Sequence, residues 1–146
     1  MPRLQGAFCV VTGGARGIGR AICAAFIAEG ARVLLTDIDT GTGSASAAEL
    51  GCDFLRLDVR LESDWEALAA LHPAADVVVN NAGRFEANRL DRSDIEWLDA
   101  WEDTLRVNLT SAAQLSRHAV LHWQERGFAG RSDIPAEQQQ PGSAVF

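Results

Sequence analysis

The stretch TGGARGIG, residues 12–19, constrains this chain more than any other, because four of its eight residues are glycine. It follows a short apolar run, AFCVV at 7–11, and precedes a segment with helical periodicity. A strand must therefore turn into a helix through backbone that carries almost no side chain. Glycines at such a turn let backbone N–H groups come close to an anion at the helix N-terminus. A tight turn with no ligand is the plainer alternative, and the rest of the chain has to decide between them.

Residues 7–12 read as a buried strand, continuously apolar. Ile18, Ala21, Ile22, Ala25 and Phe26 then fall on one face of a helix, with Gly30 placed to end it. RVLLT at 32–36 is the next strand, followed by Asp37. DTGTGSASAAELG, 39–51, is rich in small residues and predicts a loop plus a short helix. FLRLDV at 54–59 is a third strand, and Ser63-Asp64-Trp65-Glu66 has the capping-box spacing of a helix start that His72-Pro73 would close. DVVVNNAG, 76–83, is a fourth apolar strand ending in a polar turn. A second capping-box spacing, Ser93 to Glu96, opens a long helical region. There Leu105, Leu109, Ala112, Ala113, Ser116, Ala119, Val120 and Trp123 share one face, and the helix is expected to end near Gly127. Residues 127–143 read as an irregular polar loop, longer than such connections usually are, and SAVF reads as the beginning of a fifth strand.

Strands alternating with helices imply an α/β fold: a doubly wound parallel sheet with right-handed crossovers and helices on both faces. Strands that are apolar throughout suit a sheet covered on both sides. The net charge of −7 argues against a nucleic-acid partner or an anionic-membrane anchor. No apolar run approaches the roughly 20 residues needed to span a bilayer. Cys9, Cys23 and Cys52 are scattered without metal-ligand or redox spacing, which predicts free thiols in a cytoplasmic setting. His118 and His122 stand four apart without a suitable acidic partner, so no metal site is expected.

In a doubly wound sheet, ligands bind beyond the carboxyl ends of the strands. Every unusual polar or glycine-rich feature lies at such an end: TGGARGIG after strand one, Asp37 after strand two, Asp58 at strand three, NNAG after strand four. That coincidence favours a dinucleotide in the glycine cradle. Asp37 falls 18 residues after Gly19, about where an acidic side chain accepts hydrogen bonds from the adenosine ribose hydroxyls.

The spacing Gly13-x-x-x-Gly17-x-Gly19, with Asp37, Asp58-Val59, Asn80-Asn81-Ala82-Gly83 and Val107-Asn108-Leu109 following in order, resembles the short-chain dehydrogenase/reductase family. The resemblance implies a Rossmann-like NAD(P)-binding domain over 1–146 and a hydride transfer between a nicotinamide cofactor and an alcohol or ketone. It also implies roles. Gly13, Gly17 and Gly19 would hold the pyrophosphate end, with the Ile18 amide near the phosphates. Asp58 would bond the adenine, and Val59 would line its pocket. Asn81, Ala82 and Gly83 would meet the cofactor sugars, and Asn80 would tie strands together. Asn108 matches the asparagine that kinks the helix and holds a water in the family's proton relay. Arg16 sits where family members that use NADP often carry a basic residue, but Asp37 would repel a 2′-phosphate, so NAD is expected over NADP.

One absence cuts across this resemblance. The family's chemistry uses a Ser and a Tyr-x-x-x-Lys, yet the chain has no Tyr, and all 13 of its basic residues are Arg. The resemblance reaches nearly the whole chain but only about the first half of the family's domain. The expectation is therefore a cofactor-binding portion, inactive by itself, of an oxidoreductase that forms a homo-oligomer. The alternatives are a non-catalytic dinucleotide-binding module and an inactive truncated fragment.

Overall fold

The structure, a computed structural model, describes residues 2–71 and 75–127. Four strands, β1 (Phe8–Thr12), β2 (Arg32–Asp37), β3 (Asp53–Arg56) and β4 (Val77–Val79), form one sheet in the order β3-β2-β1-β4. Every pairing is parallel, with Val10 beside Leu34 on one side and Val78 on the other. The helices are α1 (Gly17–Ala28), α2 (Thr40–Leu50), α3 (Glu62–Leu71), α4 (Asp94–Leu105) and α5 (Ser111–Glu125). A π-helical turn, Arg106–Thr110, joins α4 to α5.

Alternation along β1 explains the two layers. Cys9 and Val11 face a core built with Cys23 of α1, Ala47 of α2, Val33 and Leu35. Phe8 and Val10 face the opposite core, with Trp65 and Leu68 of α3 and Leu115, Ala119 and Trp123 of α5. Side chains on successive strand residues point to opposite faces, so an apolar run with no polar gap is what two covered faces require. The expected doubly wound α/β architecture is thus present among the described residues. Cys9 and Cys23 are fully buried, and desolvation pushes their thiols up to about 11 and about 12 respectively, which leaves them unreactive.

Several local expectations need correction. The buried side of α1 is Gly19 and Cys23 with Ile22, Phe26 and Ile27 beside them, whereas Ile18 is 75% exposed. Gly19 takes the inward place because a Cβ there would overlap the Gly13 carbonyl oxygen, so the glycine turn fixes the helix's rotation. The 39–51 segment is helical over its whole middle, not a loop with a short helix. Its small residues are packing adaptations: a Cβ at Gly43 would overlap the Phe54 ring, and the Ser46 hydroxyl donates to the Ala15 carbonyl at 2.6 Å. β3 ends at Arg56, which places Asp58 on the loop beyond it. Ser63 does not cap α3, which already begins at Glu62. The long helix does not present one continuous face. Leu105 and Leu109 are exposed, while Ser111, Leu115, Ala119 and Trp123 are buried, because the π-helical turn shifts the helical phase between the two groups. His72-Pro73, the 128–143 part of the expected loop and the SAVF strand lie outside the described residues.

Candidate functional site

The carboxyl ends of all four strands open on one cleft of about 470 Å³. Gly13 and Arg16 come from the end of β1, Asp37 and Asp39 from β2, Asp58 and Arg60 from the loop after β3, and Asn81 to Arg84 from the segment after β4. Val59 and Val107 complete the apolar part of its wall.

The glycine turn is held from three directions. Gly14 N–H donates to the Thr36 carbonyl at 2.9 Å, and Ala15 N–H donates to Asp37 Oδ2 at 3.0 Å. The Asn81 amide group donates to the carbonyls of both Thr12 and Gly13, each at 3.0 Å. Thr12 Oγ1 donates to the Val79 carbonyl and accepts the N–H groups of Asn81 and Ala82 at 3.1 Å each. Gly13 has φ +65°, and a Cβ there would lie 2.8 Å from Ala82 Cα. Glycine is required here both for its backbone conformation and for the close approach of the next loop. Asn81, rather than Asn80, is therefore the tie between the ends of β1 and β4. Asn80 instead donates to Ser116 Oγ on α5, at 3.0 Å.

α1 begins just past this turn without a side-chain cap: Arg16, its N-cap residue, supplies no acceptor. The first N–H groups of a helix have no intrahelical partner, and the aligned peptide dipoles make that end attractive to an anion. Gly17, at φ +55°, leaves open space where a Cβ would stand. Exposed glycine, uncapped amides and an anion-favouring helix end together fit the pyrophosphate of a dinucleotide.

Asp37 already binds protein at both oxygens, accepting from Ala15 N–H and, through Oδ1, from Asp39 N–H at 3.0 Å. A carboxylate has about four acceptor sites, so capacity remains for ribose hydroxyls. Arg16 pairs with Asp39 at 2.6 Å.

Asp58 is 6% exposed and closely engaged by Arg60. Its Oδ1 accepts from the Arg60 backbone N–H and Nε, each at 3.0 Å, and its Oδ2 accepts from the guanidinium at 2.8 Å. These bonds, the Arg60 side chain first, hold the Asp58 carboxyl below its ordinary range. The Asp58 N–H donates to Asp64 Oδ2 at 2.8 Å, which ties the loop to α3. Arg60 also reaches Asp103 of α4 at 2.9 Å, and Asp103 pairs in turn with Arg84 beyond the β4 turn. Asn108, in the π-helical turn, both accepts from the Arg84 N–H and donates to the Arg84 carbonyl, each at 2.7 Å.

The structure brings the sequence-derived site residues around one cleft: Gly13, Arg16, Asp37, Asp58, Val59, Asn81, Ala82 and Gly83 line it. Gly17, Ile18 and Gly19 open the helix next to it, and Asn108 stands behind Arg84. Thr12, Asp39, Arg60, Arg84 and Asp103 went unread. Thr12 opens the TGGARGIG stretch, but its hydroxyl's three partners, Val79 at the end of β4 and Asn81 and Ala82 just beyond it, lie 67 to 70 positions away. Among the described residues, no group of three His, Cys, Asp or Glu side chains is placed to hold a metal ion, and no helix is long and apolar enough to cross a membrane.

The sequence profile of the short chain dehydrogenase family matches residues 7–131. The 3-beta-hydroxysteroid dehydrogenase of Comamonas testosteroni is 44% identical over 131 residues, which is 86% of this chain and 50% of that protein. The sex determination protein tasselseed-2 of Zea mays is 42% identical over 128 residues, 81% of this chain and 38% of that protein. The crystal structure of a short chain dehydrogenase from Mycobacterium smegmatis superposes with a TM-score of 0.75 at 27% identity, covering 89% of this chain and 57% of the other. The chain thus spans about half the length, or less, of the relatives it matches.

Proposed function

Because the chain belongs to the short-chain dehydrogenase family, an oxidoreductase family, we propose that it is the dinucleotide-binding part of an enzyme that transfers hydride between NAD(H) and an alcohol or ketone. The observation that carries this reading is the placement of the uncapped α1 N-terminus and Asp37 on the same cleft, joined by the Ala15–Asp37 hydrogen bond. The α1 amides would take the pyrophosphate, and Asp37 would accept from the adenosine ribose. Arg60, fastened over Asp58, would form the adenine end of the cleft. When bound, the cofactor supplies the hydride acceptor or donor. This chain's own contribution is to bind and orient it. Asn108 would fix the Arg84 segment beside the nicotinamide end through its paired hydrogen bonds.

A preference for NAD over NADP follows from charge. A 2′-phosphate would meet the Asp37 carboxylate, whereas a free hydroxyl would donate to it. With no Tyr and no Lys in the sequence, the chain has no counterpart of the family's proton-transferring pair. It is therefore expected to bind cofactor without turning over substrate, a property shared with the rival reading of a non-catalytic dinucleotide-binding module. Homo-oligomer formation belongs to the same proposal: Ile95, Leu98 and Trp101 of α4 are exposed apolar side chains that a second copy could cover.

Titration calorimetry with NAD⁺ and NADP⁺ on the chain and on Asp37→Ala tests the cofactor reading. NAD⁺ should bind more tightly to the unmodified chain, and the substitution should narrow the gap. Equal or tighter NADP⁺ binding would mean that Arg16 outweighs Asp37, and binding of neither would end the proposal. An NADH-oxidation assay with a panel of ketones should read background.

A further inference from the structure

Asp39 stands two residues beyond β2 and engages both groups whose charges bear on the cofactor's ribose. Its Oδ2 pairs with the Arg16 guanidinium at 2.6 Å, and its N–H donates to Asp37 Oδ1 at 3.0 Å. Its carboxylate is not positioned by Arg16 alone. Oδ1 accepts the Thr42 N–H at 3.0 Å, which makes Asp39 the N-cap of α2, and Oδ2 accepts the Thr42 hydroxyl at 2.8 Å. A helix N-terminus favours a negative charge at this place. All three residues, Arg16, Asp37 and Asp39, line the cleft.

We infer that Asp39 is a specificity-determining residue that keeps Arg16 occupied and so biases the cleft toward a dinucleotide with a free 2′-hydroxyl. The inference rests on the reading of the cleft as a dinucleotide site and deepens it. Without Asp39, one cation (Arg16) and one anion (Asp37) would face the ribose, and Arg16 would be free to meet a 2′-phosphate. With Asp39 fixed by Thr42, Arg16 has a preformed partner, and the local charge from these three side chains is negative. Thr42's amide, then its hydroxyl, hold the Asp39 carboxyl below its usual range, so the cap favours the charged form that pairs with Arg16. The Arg16 and Asp39 side chains are 68% and 41% exposed, so the effect is that of a screened surface pair rather than a buried one.

Asp39→Asn removes the charge and keeps a strong N-cap, so α2 should survive the substitution. Calorimetric titration with NAD⁺ and NADP⁺ would be run on the chain, on Asp39→Asn, on Arg16→Ala and on the double variant. NADP⁺ affinity should rise about threefold to fivefold in Asp39→Asn, the scale of an exposed charge pair, with NAD⁺ affinity changed less than about twofold. Adding Arg16→Ala should abolish most of that gain. Asp39→Ser, a second uncharged cap, should reproduce the shift if Asn perturbs the loop. Unchanged NADP⁺ affinity in both uncharged variants, with NAD⁺ still bound, would overturn the role of Asp39 and leave the cofactor reading standing. A gain that survives in full without Arg16 would also overturn it. Failure of every form to bind either nucleotide would instead sink the cofactor reading beneath it.

Discussion

The β1–α1–β2 region and the 84–110 segment both bound the cleft, but they are held together by opposite means. In the first, Cys9, Val11, Cys23, Val33 and Leu35 are buried on one face of the sheet, and the glycine turn beside them is fixed by the Asp37, Asn81 and Thr12 side chains bonding to backbone. In the second, α4 buries only Ala100, while Phe85, Leu90, Ile95 and Leu98 stand exposed. What holds that segment is polar: the Ser93–Glu96 capping box, the Asn108 clasp on Arg84, and the ion pairs that Asp103 makes with Arg60 and Arg84. Close packing makes the first region intolerant of added atoms and confines its ion pairs to the exposed rim, where salt and acid act weakly. Charge makes the second tolerant of volume and sensitive to its medium.

The sharpest break of this comparison is Gly19→Val. The Gly13 carbonyl occupies the space the new side chain would need, and the Asn81 amide lies against the same point. The Gly13 backbone cannot give way, and the Asn81 side-chain amide is pinned by its bonds to the Thr12 and Gly13 carbonyls, so the loss of stability should be about 4 kcal/mol or more. Gly17→Ala is the control. It meets no atom within 4 Å and carries only the strain of φ +55°, about 1–2 kcal/mol. Urea unfolding followed by circular dichroism reads both. Similar losses for the two would show that the turn is governed by backbone conformation and not by packing. Gly13 is a poor probe of ligand binding for a similar reason, since backbone at Ala82 Cα lies 2.8 Å from where its Cβ would stand.

Asp103→Ala is the corresponding cut in the charged segment. It removes the acceptor shared by Arg60 and Arg84 and leaves Arg60 on Asp58 alone. These side chains are partly exposed, so the cost should be about 1–2 kcal/mol, below that of a fully buried pair. Amide exchange in α4 and the π-helical turn should quicken, while that in β1 and β2 stays slow. Uniform quickening across the sheet would show that the two regions are one cooperative unit.

How much of this was legible in the sequence follows the same division. β1, β2 and the parallel order could be read because continuous apolar runs and strand–helix alternation are local patterns. The cleft could be read because glycines and carboxylates recur at strand ends. The rotation of α1 could not, since it depends on Gly13 pressing on Gly19. Nor could α2, whose Gly43 and Ser46 look like loop residues until Phe54 and Ala15 are placed against them. The exposure of Leu105 and Leu109 follows from the extra residue in the π-helical turn, which breaks the 3.6-residue register that the periodicity assumed. Arg60, Arg84 and Asp103 were ordinary charges in sequence, and only tertiary structure brings them to one point.

Acid should separate the regions more gently. The carboxyls of Glu86, Asp91 and Glu96 are held low by Arg92, Arg89 and Ser93 respectively as the first cause. Asp58, tied to this segment through Arg60 and Asp103, is held low by Arg60. On the packed side Glu29 and Asp39 are held low by Arg3 and Thr42, but at the exposed rim of a region that burial holds. A depressed folded-state pKa contributes stability that is fully present above the ordinary value, 3.8 for Asp and 4.5 for Glu. That contribution disappears as pH falls through the lower folded value. Titrating from pH 6 down to about 3 should therefore loosen α4 before the β1–β2 core, as read by exchange in the two regions. Added salt at neutral pH should act in the same direction, because the pairs are screened.

The smallest effect sharpens the comparison from the packed side. Arg20 of α1 and Glu49 of α2 form an ion pair of 2.7 Å, with side chains 38% and 67% exposed, across two helices that already share the Cys23–Ala47 core. If burial holds this region, the pair is dispensable despite its short distance. Two long side chains lose rotamer freedom to keep it, and water screens what remains. Arg20→Ala should shift unfolding stability by no more than about 0.5 kcal/mol, with the same value at low and high salt within error. A loss above about 1 kcal/mol that fades with added salt would place charge, not packing, between α1 and α2. It would then make the two regions alike in kind, differing only in how many pairs each one uses.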